Sequence, residues 1–401
     1  MSPKRTVVSA ALMLDGTASA ARTDVAILIE GGRIISIDRA GAFKSSSDTH
    51  IVDGGRLTAI PGMINMHAHL DSMCGPDFAI AARFATEAGS ALAAAHNAAV
   101  TLRSGVTTVR DLGNPFAVAI AVRDAVERGL VRGPRILAAG KIVCMTGGHC
   151  WFIGLESDGP HEMRKAVREN LKAGADCIKL IATGGVLSPG VEVGHAQLDV
   201  DELTVAVNEA HRAGRRVAAH AIGSAGVKNA LRAGVDTIEH GCYLDDDAIG
   251  LFRTADATYV PTLSAPYWLR RHIEELPAYA ARKTNEVFEA HRESFAAALR
   301  SGVRIAAGTD AGTPFNYHGL FAHELLLMTE LGMSAEEALL SATSRAAAAL
   351  GLERECGTLA PGFSADIALV DGDPRNDIAA LGRVRMVFAR GRSVGLEDLD
   401  D

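Results

Sequence analysis

Six residues stand out for what they could do together: His67, His69, Lys179, His220, His240 and Asp310. Neutral imidazole is a good ligand for zinc and similar divalent ions. In an extended segment, positions i and i+2 point the same way, so the two histidines of His67-Ala-His69 can share one ion. His220 and His240 can hold a second. Asp310 can add a carboxylate oxygen and can also take a proton from a metal-activated water. Lys179 is the odd member, because an ammonium is cationic and a poor ligand. Carboxylation of its amine by carbon dioxide would give an anionic carbamate able to bridge two ions. Taken singly, each residue also has an ordinary reading: a chance His-x-His pair, a turn-capping aspartate, a lysine snorkelling to the surface.

The elements that would have to position them can be read from periodicity. Short β-branched runs alternate with Ala-rich segments of helical period. Strands are predicted at 58–66, 106–111, 135–140, 176–181, 216–220, 236–240, 258–262 and 304–310. Helices are predicted over 90–104, 117–128, 162–173, 201–213, 226–233 and 281–301. Eight strands, each followed by helical sequence, predict an α/β fold of the (β/α)8 TIM-barrel type. The phrases Lys172-Ala-Gly-Ala-Asp, Arg232-Ala-Gly-Val-Asp and Arg300-Ser-Gly-Val-Arg each place a glycine where a helix would end in a left-handed cap before the next strand. On this layout all six residues fall at or near C-terminal strand ends, the face where barrel enzymes keep their active sites.

The chain ends read differently. Residues 5–14, 26–30 and 33–38 are strand-like, the last two separated by the turn Gly31-Gly32. Strand-like runs return at 365–372 and 384–391. The expectation is a small β-sandwich domain formed from both chain ends, 1–57 plus 358–401, with the barrel occupying 58–357.

Bulk properties narrow the function classes. The 401 residues are 48% hydrophobic and 22% charged, enough apolar material for a large core. Aromatics are only 5%, the formal net charge is −8, and no dense Lys/Arg block occurs, so neither nucleic acid nor an anionic membrane surface is an expected partner. Six scattered cysteines form no C-x-x-C pair, which favours reduced thiols and a cytoplasmic location. The basic, then apolar N-terminus lacks a convincing signal-peptide core, and no run is long enough for a spanning helix.

The set of motifs resembles the amidohydrolase superfamily. The phrases that carry the resemblance are Pro61-Gly-Met-Ile-Asn-Met-His-Ala-His-Leu, Gly105-Val-Thr-Thr-Val-Arg-Asp, Ile178-Lys-Leu, Ala219-His, Glu239-His-Gly, Gly308-Thr-Asp-Ala-Gly and, near the C-terminus, Gly357-Thr-Leu-Ala-Pro-Gly-Phe-Ser-Ala-Asp-Ile-Ala. Within the superfamily the chain is similar to the prolidase-like branch, which cleaves dipeptides and N-acyl amino acids. Gly174-Ala-Asp-Cys-Ile-Lys-Leu-Ile-Ala-Thr-Gly-Gly-Val-Leu-Ser points there, as do Thr146-Gly-Gly-His-Cys-Trp and His240-Gly-Cys-Tyr-Leu-Asp. Relatives of that branch hydrolyse ochratoxin A or carbamate and urea pesticides, and several are octamers.

The resemblance implies a binuclear centre of two divalent ions, zinc by preference. His67, His69 and Asp310 would hold the first ion, His220 and His240 the second, and a carbamate on Lys179 would bridge them. A hydroxide between the ions would attack a small-molecule amide, with Asp310 as proton shuttle. His149, in Gly147-Gly-His-Cys-Trp151, would hydrogen-bond the carbonyl or the tetrahedral oxyanion. Tyr243 would hold a substrate carboxylate, Gly184, Gly185 and Val186 would line the pocket, and Asn316 and His318 are weaker candidates. Arg270 and Arg271 beside Trp268 could recognise a carboxylate too, though a solvated helix surface is the favoured reading of them. A homo-oligomer is expected. Two other readings stay open: a one-metal urea or carbamate hydrolase or deaminase of the same superfamily, and a non-catalytic scaffold, which six filled ligand positions disfavour.

Overall fold

The structure, a computed structural model, describes residues 5–395. The outermost positions of the expected small domain, 1–4 and 396–401, lie outside the described residues. The fold is α/β, a (β/α)8 barrel with a small β-domain drawn from both chain ends. By contacts the chain divides into two compact units, one of Met1–Asn65, Val100–Thr108 and Gly319–Asp401, the other of Met66–Ala99 and Val109–His318.

The first unit contains an eight-stranded mixed sheet. Its main path runs Arg392–Val394, Val384–Ala389, Ile367–Val370, Thr58–Pro61, Arg5–Met13, Arg22–Glu30, Arg33–Arg39, and Thr49–Asp53 pairs with Arg5–Met13. The expected hairpin forms through Gly31 and Gly32, both at positive φ, the geometry of a tight two-residue turn. Val8, Ile27, Ile34, Ile367, Leu369 and Phe388 form its core. One expectation is corrected here. The run 58–66 is two strands: Thr58–Pro61 belongs to this sheet, and Met63–Ala68 starts the barrel. The break falls at Gly62, where a Cβ would stand 2.1 Å from the Thr107 hydroxyl.

The second unit carries most of the barrel. Six strands lie in the order Gly154–Glu156, Ile142–Cys144, Cys177–Ile181, Arg216–Ala221, Thr237–His240, Thr258–Val260, and every pairing among them is parallel. All five residues of Cys177–Ile181 and all four of Thr237–His240 are buried, as parallel strands covered on both faces must be. Helices end as the repeated phrase predicts. Gly174 and Gly234 cap Gly159–Ala173 and Ser224–Ala233 at φ 96° and 86°, and their N–H groups close on the last helical carbonyls. The Val200–Arg212 helix opens with a reciprocal Asp199–Glu202 capping box.

The expected eighth strand, 304–310, is not a regular strand. It is an extended segment hydrogen-bonded on both sides. Arg304 O accepts from Tyr259 N and Ala306 N donates to Tyr259 O, while Ala307 O accepts from Met66 N. The ladder fails at its end because Thr309 N and Asp310 N both turn onto His67 O, with Asp310 at φ 57°. This turn joins the segment to the first barrel strand.

Gly308 marks how closely these chains approach: a Cβ there would lie 2.6 Å from Val260 Cγ1 and 3.0 Å from His67 N. Gly308→Ala should therefore destabilise the protein by about 1–3 kcal/mol through overpacking. Gly250, inside the Asp246–Thr254 helix with no atom near its Cβ position, is the matched control. Gly250→Ala should stabilise by about 0.5–1 kcal/mol. Thermal melts of the two variants check this, and equal melting temperatures would contradict it.

Candidate metal centre

His67 lies near the end of Met63–Ala68 and His69 follows it by two, so both rings project to one side. Asp310 is brought over them by its bond to His67 O and is held by Asn316, whose Nδ2 donates to Asp310 O at 2.9 Å and to Thr309 O at 2.7 Å. His67 Nε2 and His69 Nε2 each lie 3.2 Å from Asp310 Oδ1. The ring nitrogens on the far side are fixed. His69 Nδ1 is 2.8 Å from Gly113 O, which can only accept, so Nδ1 carries the proton. His67 Nδ1 donates to Glu239 Oε2 at 2.9 Å. In the neutral rings both lone pairs therefore face Asp310. Two imidazoles and a carboxylate converging, each imidazole oriented by an acceptor behind it, fit one divalent ion of the zinc type.

The electrostatics agree. Burial, with the Lys179 charge adding to it, keeps the His67 pKa well below the ordinary imidazole value. Burial acts the same way on His69, but the bond to Asp310 and that carboxylate's charge outweigh it, so His69 sits above the ordinary value. Burial alone would raise the Asp310 carboxyl, yet the charge of His67 and the bond from His69 hold it below the usual range. The carboxylate stays charged and attracts a cation.

Behind the site is a buried polar network that sequence reasoning missed. Arg110 Nη2 bonds Glu239 Oε1 at 2.8 Å, Arg110 Nη1 bonds Thr237 Oγ1 at 3.0 Å, and Arg110 Nε bonds Met66 O at 2.7 Å. Arg110 and Glu239 are at most 1% exposed. Glu239 thus neutralises Arg110 with one oxygen and orients His67 with the other. The available signal was the presence of two charged side chains, Arg110 and Glu239, inside predicted barrel strands.

The expected two-metal centre is corrected. Among the described residues, one group of three imidazole or carboxylate residues converges to hold an ion, and it is His67, His69 and Asp310. Lys179 lines the same cavity as these three, and the expected carbamate bridge between two ions is corrected together with the second ion. Among the described residues the Lys179 Nζ has no hydrogen-bond partner, and burial pulls its pKa down to about 8. A second ion would need negative charge to hold it, and Lys179 supplies none. Nor do His220 and His240, which burial keeps well below the ordinary value and hence neutral. His220 Nε2 donates to Gly184 O at 3.2 Å. His240 Nδ1 is 2.8 Å from Thr262 Oγ1, whose hydroxyl already donates to Pro261 O, so the ring nitrogen is the donor. These two rings lie 4.6 Å apart between centroids, and the His149 ring lies 4.5 Å from that of His220, tilted by 38°.

His67, His69, His149, Lys179, His220, His240 and Asp310 line one cavity, and most of its remaining wall is apolar, with Phe78, Ile142, Ile153, Leu187, Leu269 and Val287 among others. His149 lines it with an unbonded Nδ1, its pKa lowered by burial to about 3, and its backbone N is held by Gln197 Oε1. Val186 also lines the cavity, and Gly185 packs so closely that a Cβ would stand 2.4 Å from His149 Nε2. Gly184 contributes the carbonyl that His220 uses. Tyr243 is elsewhere: it lines an outer cleft beside Asp245 and Glu293, and its hydroxyl donates to Glu286 O at 3.0 Å. His318 is buried against Ser72 O and is not one of the residues that line the cavity. Arg270 and Arg271 are exposed. His291 lines the cavity unanticipated, its pKa lowered to about 4 by burial.

Comparison with known proteins gives this geometry a family. The profile described as "Amidohydrolase family" matches residues 58–394. Ochratoxinase of Aspergillus niger is 30% identical over 413 aligned positions, covering 94% of this chain and 83% of that one. The crystal structure of a Xaa-Pro dipeptidase with bound methionine superposes with a TM-score of 0.90 at 34% identity, covering 97% of this chain and 99% of the other. Phenylurea hydrolase B superposes with a TM-score of 0.82 at 25% identity, covering 97% and 96%. A profile match over most of the length, joined to a buried His-His-Asp cluster in a barrel, places the chain in the amidohydrolase family as a metal-dependent hydrolase.

Proposed function

We propose that the protein hydrolyses a carbonyl–nitrogen bond of a small, largely apolar molecule with the help of one divalent ion held by His67, His69 and Asp310. The substrate class spans amides, carbamates and ureas. The observation that carries this is the convergence of two oriented imidazoles on one charged carboxylate at the floor of an apolar cavity. Likeness to a dipeptidase, an ochratoxinase and a phenylurea hydrolase supports the bond type.

An ion at this place, zinc by its donor set, supplies Lewis-acid polarisation of the carbonyl and acidification of water. The chain does the rest. Asp310, ionised at neutral pH, accepts the proton of the attacking water and returns it to the leaving nitrogen. Lys179 Nζ and His149 Nδ1 have no hydrogen-bond partner among the described residues, and the lysine and the His149 ring are the groups that would donate to the carbonyl oxygen as it gains charge. The aliphatic wall excludes bulk water and takes the apolar groups of the substrate. Six buried free cysteines suit a reducing compartment, and we place the protein in the cytoplasm. Among the described residues no helix is long and apolar enough to cross a membrane.

Three measurements test this. Chelator-stripped protein should regain full turnover with one equivalent of zinc per chain, whereas two tightly held ions would overturn the one-metal reading. Asp310→Asn should lower kcat by about 10²–10⁴-fold on a matched amide, carbamate and urea panel. Wild-type turnover in that variant would remove Asp310 from the proton transfer, and no hydrolysis of any panel member by the loaded wild type would sink the reaction class. Glu239→Gln should weaken zinc affinity about 10–100-fold by loosening His67. Calorimetric titration showing unchanged affinity would mean that Glu239 only neutralises Arg110.

A further inference from the structure

The helix Ala278–Arg300 turns Lys283, Val287 and His291 to one side at four-residue spacing. Val287 and His291 line the cavity. Lys283, one turn earlier, is 1% exposed. Among the described residues it makes no ion pair. Its Nζ donates instead to Ser188 O at 2.7 Å and Gly185 O at 3.3 Å, and lies 5.5 Å from the centroid of the Tyr279 ring. An ammonium taken out of water without a carboxylate is costly, and it is kept only where fixed dipoles replace its hydration. Two carbonyls and an aromatic face are those dipoles here.

Those carbonyls belong to the turn that follows the lysine-bearing strand Cys177–Ile181, and that turn touches both histidines contributed by neighbouring strands. Gly184 O accepts from His220 Nε2. The His149 ring occupies the space that a Cβ on Gly185 would need. Ser188 Oγ accepts from Cys150 N at 2.9 Å, fixing the residue after His149, itself at φ 63°. Between the two clamped carbonyls, Val186 and Leu187 face the cavity. One cation therefore drains two carbonyls of a five-residue turn, and that turn sets the position of one imidazole and the protonated nitrogen of another.

We propose that Lys283 is a positioning residue: by clamping the Gly185 and Ser188 carbonyls it holds the Gly184–Ser188 turn, and through that turn it orients His149 and fixes His220 in its Nε2–H form. The dependence of activity on Lys283 rests on the reaction proposed above, but the state of His220 does not.

The experiment uses the full chain, with nitrogen-15 histidine spectra of the metal-free protein beside turnover of the best panel substrate by the zinc-loaded protein. Wild-type His220 should show a protonated Nε2 and an unprotonated Nδ1. Lys283→Met, close in volume and uncharged, should give a mixture of the two tautomers at His220 and lower kcat/KM by about 10–100-fold. Lys283→Arg, which keeps the charge and the donors, should restore the single tautomer and most of the activity. A folded Lys283→Met protein with the wild-type His220 signature would overturn the proposal whatever its activity. If Lys283→Met does not fold, Lys283→Gln, which keeps one donor, is read in the same way. A lowered melting temperature with an unchanged tautomer would show a role in stability alone. A shifted tautomer with no hydrolysis even by the wild type would leave the clamp standing and count against the reaction.

Discussion

The centre depends on one shared atom. Asp310 Oδ1 lies 3.2 Å from two imidazole nitrogens, so one carboxylate oxygen gives His67 and His69 a common point. The backbone secures it. Asp310 N donates to His67 O, so the residue that supplies the carboxylate is bonded to the residue that supplies the first ring. That bond exists because the last barrel segment turns inward at its end, with Asp310 in the left-handed region. Such a conformation is uncommon for a residue with a side chain, and it persists where the surroundings over-determine it. Here the surroundings are Asn316 and Thr313, which hold the Asp310 carbonyl with a side-chain amide and a hydroxyl.

Charge balance then limits how much cation the site takes. Asp310 is the carboxylate that faces the cavity. Glu239 is equally buried but is committed to Arg110, leaving that pair without net charge. Lys179 brings at most positive charge, and the remaining cavity histidines, His149, His220, His240 and His291, are all pushed toward neutrality by burial. One divalent ion against one carboxylate already leaves an excess of positive charge. A second would meet the first in a low-dielectric surrounding, with no second carboxylate lining the cavity among the described residues.

Most of the frame was legible in the sequence, because barrel strands and helices are local patterns. The strand-end placement of His67, His69, His220, His240 and Asp310 followed from β-branched runs that stop at those residues. The glycines at 174 and 234 were readable as left-handed caps from their phrases alone. Two elements were misread for a physical reason. Residues 58–66 look continuous because nothing in the sequence says that Gly62 abuts Thr107, and 304–310 looks regular because its strand-like composition conceals the inward turn at 309–310. The ligand count was misjudged because residue type says what an atom can bind and not which neighbours share its position. His220 and His240 are competent ligands, but they converge with each other and with His149 and not on a second carboxylate. Tyr243 and His318 were placed by their loops, and loop shape is set by packing between distant segments.

Four of the histidines lining the cavity share a device that no local pattern encodes. Each has one ring nitrogen tied to an acceptor: His67 to Glu239, His69 to Gly113 O, His240 to the Thr262 hydroxyl, His220 to Gly184 O. A neutral imidazole has one proton, so each of these ties decides which lone pair is left. In three of them Nδ1 is tied and Nε2 is left. His220 is reversed: Nε2 is spent on the loop, and Nδ1 remains. That reversal needs a carbonyl presented from the cavity wall, which only a turn such as Gly184–Ser188 can do, and a turn whose carbonyls face different ways needs something to hold them apart. The buried ammonium of Lys283 meets that requirement from a helix about a hundred residues further along the chain, so the chemical state of one ring is settled by a fold-level contact and not by any neighbour in sequence.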